Sequence, residues 1–350
     1  MSLSRRDFLK AALLTGAVTG CSTVIDERTQ PSLPDNITLP DTNPDARHPT
    51  AHLLNRATFG PRPGQIAVVA AMGHTAWIEQ QLDYTNIGDD DVNLRLRRYD
   101  TLRMTPRDLQ AFNGSRNRNF VRDQLAVATL VRAVYSKRQL YEVLVAFWSD
   151  HFSIYKYKGE VGIYKTVDDR EVIRPNALGT FAELLRASAH SPAMLLYLDN
   201  TNNSAGEINE NYAREIMELH TLSVDGGYTE QDIKEVAKCL TGWTINGRGE
   251  FTFNADDHVD GEKVVLGEVI HAADDPKAEG DRVLAILAQH PSTAHFVCKK
   301  LVRRFIADDP PQHMIDAAVS TWQGTNGDIR AVVRAILTHE DFDNAPPKLK

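Results

Sequence analysis

Three short stretches of the sequence gather side chains able to do chemistry. In Phe147-Trp148-Ser149-Asp150-His151-Phe152, His151 follows Trp148 by three residues and Phe147 by four, so on a helix its imidazole shares a face with two aromatic rings. A histidine so placed suits a metal ligand or a general base, and equally a hydrogen-bonded core residue. The second stretch runs from Ile208 to Leu222. On a helix Asn211, Glu215 and Glu218 fall on one face, Arg214 and Met217 border it, and His220 lies about 200° around from Glu218. Two acids and an amide aligned on an otherwise apolar helix fit an oxygen-rich site for a divalent cation, an acid/base pair, or a structural network neutralised by Arg214. The third stretch is Asp256 to Lys263. If it is extended, His258 and Asp260 project to the same side and converge on a ligand; a polar turn is the alternative.

From these side chains we assign candidate roles. Glu215 or Glu218 is the acid/base group or cation ligand, His151 the second base or ligand, and Arg214 the clamp for an anionic group. Trp148, Asn211, His258 and Asp260 complete the candidate binding residues. The candidate chemistry is hydrolytic or metal-assisted. Neither His-x-x-x-His nor Glu-x-x-His spacing occurs in the first two stretches, which argues against an ordinary zinc or di-iron site. There is no Gly-x-Ser-x-Gly elbow, no phosphate-binding Walker loop and no Gly-x-Gly-x-x-Gly after a strand.

The elements that must hold these residues are helices. From His48 onward the apolar spacing is helical, as in Val121–Tyr135, Leu140–Phe152, Leu178–Leu198, Asn211–Leu222, His295–Ile306 and Ile329–Leu337. Pro175, Pro192, Gly226-Gly227, Pro276, Pro291 and Pro310-Pro311 fall between the patterns, and Thr229, Asp281 and Ser292 read as N-caps. Alternating patterns are confined to Thr244–Gly267, which reads as a short hairpin between helices. The fold class is therefore all-α in the main, an irregular multi-helix bundle with one short β excursion near 245–267.

Composition is that of a globular protein, with 42% hydrophobic and 25% charged residues. The net charge of −8 makes nucleic acid an unsuitable partner. Arginines 95, 97, 98, 103, 107, 116, 118 and 122 form a basic stretch that either binds an anion or, as we expect in so acidic a chain, pairs with internal carboxylates. Cys239 and Cys298 each sit in an apolar helical pattern. We expect two buried thiols rather than a disulfide.

The first 20 residues resemble an export signal. Arg5-Arg6 before Phe8-Leu9-Lys10 resembles the twin-arginine pattern, the apolar run 11–18 is too short to span a bilayer, and Val18-Thr19-Gly20-Cys21 resembles a lipobox. The resemblance implies handling by the twin-arginine translocase and lipoprotein-processing enzymes, and anchoring of the mature chain to the cell envelope through acylated Cys21. In a Gram-negative host, Ser22 after the cysteine implies the periplasmic side of the outer membrane. Residues 21–47, rich in Pro, Asp, Asn and Thr, read as a flexible tether before one helical domain, 48–345.

Further strings carry a second resemblance: His52-Leu53-Leu54-Asn55-Arg56-Ala57-Thr58-Phe59-Gly60-Pro61, the Phe147–Phe152 helix, Asn209-Glu210-Asn211-Tyr212-Ala213-Arg214-Glu215 through His220-Thr221-Leu222, and Leu240-Thr241-Gly242-Trp243. With His258–Lys263 and Lys299–Phe305, they resemble the bacterial family called domain of unknown function 1800. The resemblance implies an exported, mainly helical protein, often encoded beside a phosphatase- or sulfatase-like second family, domain of unknown function 1501, as a partner. It implies no particular reaction. Family members usually continue past the segment Thr338–Phe342 into another helix, so a shortened C-terminus is expected of this copy.

Overall fold

A computed structural model describes residues 48–345, except 113 and 272–274. The export signal, Cys21 and the tether lie outside the described residues.

The chain is mainly helical, as the apolar spacing predicts. Its centre is the helix Gln139–His151, where Leu140, Val143, Leu144 and Trp148 are wholly buried. The 21-residue helix Ser115–Tyr135 runs beside it. The apolar run 178–198 divides at Ser191-Pro192 into Phe181–Ala189 and Pro192–Tyr197, because proline has no amide hydrogen to continue the first helix. Thr180 opens the first of these with a capping box. Its hydroxyl accepts from the Glu183 amide and the Glu183 carboxylate accepts from Thr180.

Thr229 caps Glu230–Cys239 in the same way, with Asp232 as its partner. The other two expected caps fall elsewhere. Asp281 lies inside Lys277–Gln289 and pairs with Arg186 and His190, while the helix containing Ser292 starts at Pro291 with His290 as its cap. Proline is preorganised for a first helical position, which moves that start one residue upstream.

The β excursion contains two antiparallel hairpins. Strand β1 (Trp243–Ile245) pairs with β2 (Phe251–Phe253), and β3 (Lys263–Val265) with β4 (Glu268–Ile270). The first docks on Lys277–Gln289 through Trp243, whose indole lies where a side chain on Gly280 would be: a Cβ there would come within 2.2 Å of the ring. Beneath the second, Lys263 and Glu279 form a buried ion pair at 2.6 Å.

Two helices widen into π turns, Asp169–Ile173 and Ile216–Thr221. The last helices close the body. Pro291–Phe305 packs on Gln312–Gly324, which packs on Ile329–Leu337, and this returns to the first helices, where Arg334 holds Glu79 in a two-pronged salt bridge. The Arg56 guanidinium donates to the Ile306 carbonyl and His52 bonds to the Phe342 carbonyl at 3.1 Å. Cys239 and Cys298 are both free and buried, as expected, and burial pushes each thiol up to about 12.

Candidate active site

His151 ends the central helix, its ring surrounded by Trp148, Phe152, Phe181 and Phe296. Both ring nitrogens are engaged. Nε2 lies 3.0 Å from the His220 carbonyl, and Nδ1 lies 2.8 Å from the Lys300 ammonium. A carbonyl only accepts and an ammonium only donates, so the proton belongs on Nε2 and the lone pair on Nδ1. Burial, then the charge of Lys300, push the imidazole well below its ordinary pKa and keep it neutral.

The second stretch begins as the helix Asn211–Glu215 and continues as the π turn Ile216–Thr221. Asn211 ties its start to the preceding segment, donating from Nδ2 to the Leu198 carbonyl at 3.1 Å. Within the π turn the Thr221 hydroxyl donates to the Ile216 carbonyl five residues back at 2.7 Å, and the Leu222 amide reaches Met217. This wider turn brings Glu215 and His220 to the same cavity. An ordinary helix would set residues five apart about 140° from each other.

That cavity, about 270 Å³, is lined by Asp150, His151, Glu215, His220, Phe296 and Lys300 among others. It adjoins a larger one of about 660 Å³ that shares Phe296 and Lys300 and has His295, Lys299 and Arg303 in its wall. An acidic chain thus presents a locally basic entrance. Burial, then the nearby Glu218, raise the Glu215 carboxyl. Burial lowers Lys300, Asp150 opposing it, and burial followed by Lys300 holds His220 down at about 3. An acid raised and an amine lowered in one cleft is a pattern found where groups exchange protons with a substrate.

The structure thus brings His151 and Glu215 to one cavity and places the other candidates outside its lining. Trp148 is wholly buried and donates from its indole to the Ala177 carbonyl at 3.0 Å, so it backs the His151 ring without reaching the cavity. Arg214 is held by Glu230 at 2.7 Å, with Glu218 at 3.4 Å and Glu210 at 3.6 Å. It is a half-buried network rather than an anion clamp in the cavity, and Glu218 belongs to it. His258 and Asp260 do not converge. His258 is buried, with Nδ1 on the Thr241 carbonyl and Nε2 3.2 Å from Glu279, whereas Asp260 is exposed. The stretch turns after a 3-10 segment instead of running extended, so the two side chains part.

The sequence reading missed His220, Lys300 and Asp150 as neighbours of His151. Asp150 is adjacent in sequence, and Phe296, Lys300 and Arg303 repeat at i, i+4 and i+7 along Pro291–Phe305, a polar-edged face that was there to be read. Among the described residues, one group of three side chains has ligating atoms close enough to hold a metal ion. It is His313, His339 and Asp341, far along the sequence from the expected cation site.

No curated protein matches the chain, and no solved structure does. The family described as "Protein of unknown function (DUF1800)" matches residues 52–350, a span that takes in the central helix, the π turn and the lysine-bearing helix just described. The chain is therefore a member of the DUF1800 family.

Proposed function

We propose that this protein is an envelope lipoprotein, exported folded by the twin-arginine route and anchored at Cys21, whose cavity hydrolyses a small anionic substrate outside the cytoplasm. The observation that carries the chemical part is the convergence of Glu215, His151, His220 and Lys300 on one cleft with a basic entrance. Lys300, held by the lone pair of His151, takes the anionic group. Glu215 draws the proton from an attacking water and returns it to the leaving group, a cycle suited to a carboxyl raised by burial. A metal is not needed in this reading. The Nδ1 lone pair that would bind one is committed to an ammonium. Arg5, Arg6 and Cys21 support the export half, and among the described residues no helix is long and apolar enough to cross a membrane.

The test is Glu215→Gln, which keeps size and hydrogen bonding. Assayed against chromogenic esters carrying a phosphate, sulfate or carboxylate, the variant should fold as the wild type does and lose about 100-fold or more in turnover. Turnover by the variant equal to that of the wild type, or none by the wild type on any anionic ester, would remove the reading.

One observation favours a second reading, a non-catalytic partner of a co-exported phosphatase- or sulfatase-like protein. Phe120, Val127, Leu130 and Val134 form an exposed apolar stripe along Ser115–Tyr135, the kind of face that binds another protein. Co-purification from the native envelope separates the two: a stoichiometric complex lost on Leu130→Glu supports the partner role.

A further inference from the structure

A further cavity, of about 260 Å³, lies beside the other π turn and shares no lining residue with the Glu215 cleft. Four arginines border it: Arg103, Arg132, Arg170 and Arg174, with one acid, Asp169. Three of the arginines are committed. Arg174 grips Glu142 with two bonds and Asp169 with a third at 2.8 Å. Arg170 donates to the Leu102 and Met104 carbonyls and to Glu171, and Arg103 holds Asp100 and the Arg97 carbonyl.

Arg132 differs. Its Nη1 is buried without a hydrogen bond, and the nearest carboxylate oxygen, on Asp169, is 3.8 Å away and already taken by Arg174. Thr166, only 1% exposed, lines the same cavity with a hydroxyl that also has no partner. Buried polar groups in folded proteins are nearly always satisfied, and here two unsatisfied ones belong to residues that line one space. Burial, then the charge of Arg174, lower the proton affinity of Arg132, with Asp169, Glu142 and Tyr141 opposing.

We infer that this cavity is a binding site for a phosphate-type oxyanion, which accepts from the Arg132 guanidinium and the Thr166 hydroxyl. The chemistry matches the donors: a guanidinium and a hydroxyl present N–H and O–H groups to an acceptor-only ligand. The volume falls below the roughly 300–1,000 Å³ of ordinary small-molecule sites, which suits an anion or a short ester of one. Arg103 and Arg170 stand in solvent-screened ion pairs with Asp100 and Glu171, so the anion is held chiefly by Arg132 and Thr166.

The site is tested by calorimetric titration and thermal unfolding of the folded chain at constant ionic strength. Inorganic phosphate and glycerol phosphate are the two probes, with chloride as the control. Wild type should bind one equivalent of at least one probe and unfold at a higher temperature in its presence. Thr166→Val replaces the hydroxyl by a methyl in a site with no protein partner to lose, so it should fold normally and bind about tenfold more weakly; Arg132→Met should abolish binding. A tighter inorganic phosphate identifies the free ion, and a tighter glycerol phosphate identifies an esterified one. No binding of either probe by wild type at about 10 mM, or equal binding by wild type and Thr166→Val, overturns the inference. The Glu215 cleft also takes an anion in the proposed function, so these titrations, with Arg132 and Thr166 native or replaced, are made in a Lys300→Met background, where binding reports the Arg132 cavity alone; failure there leaves the proposed hydrolysis standing, and the converse holds.

Discussion

His151 and His220 are buried without charge, and that ties folding to pH. In the unfolded chain each titrates near its ordinary value of about 6.5, whereas in the folded chain His220 sits at about 3 and His151 well below its ordinary value. As pH falls below about 6.5 the unfolded state takes up two protons that the folded state refuses, so stability falls. It is unaffected above that window. The loss approaches about 1.4 kcal/mol per histidine for each pH unit, so between pH 7.5 and 5.5 the two together remove about 2–3 kcal/mol. Glu215, raised when folded, acts in the opposite sense, gaining stability as pH falls toward its folded pKa, but starts from a lower unfolded value. Urea unfolding at the two pH values checks this, and His220→Gln should remove about half of the dependence. Equal stability at both values would contradict the assignment of neutral rings.

At the level of the helices, the π turn Ile216–Thr221 decides which side chains meet. A regular helix sends Glu215 and Glu218 to one face and turns His220 away. The extra residue in the turn sends Glu215 to the cleft with His220 and leaves Glu218 with Arg214. Apolar periodicity made the existence of that helix readable, because Tyr212, Ala213, Ile216 and Met217 are buried as the pattern requires. The widening itself was not readable, since it rests on a hydroxyl donating five residues back and not on any local preference for the wider turn. Thr221→Val deletes this bond while keeping the shape. It should cost about 1 kcal/mol in urea unfolding and quicken amide exchange at His220 and Leu222. No change in either would mean that packing alone holds the turn. A similar limit explains His258: its partner Glu279 lies 21 residues on, beyond the second hairpin, and no spacing in one stretch could reveal it.

For the whole molecule, the sequence conveyed the helical class and the place of the hairpins, because both follow from local periodicity and from proline and glycine breaks. It did not convey which helices adjoin. Lys300 reaches His151 from 149 residues away, and that placement comes from the stacking of the last three helices against the first. The site is thus assembled from the middle of the chain and from near its end.

The contacts of Arg56 with Ile306, His52 with Phe342 and Glu79 with Arg334 also set an order of events during synthesis. The helix Pro49–Ala57 meets Gln65–Met72 and Gln139–His151 within about 100 residues, but the groups that complete its cover, at Ile306 and Phe342, are made about 250 residues or more after it. Part of its buried face must wait for them, and contacts this distant in sequence are the slow ones to form. Nascent chains stalled before residue 300 should therefore be cut by protease within 49–57, and chains released at full length should resist. Protection of that helix in the stalled chains would show that it finds another cover. The His151–Lys300 contact likewise waits until the chain has been made through residue 300, so the cleft is completed when the later helices fold onto the earlier ones.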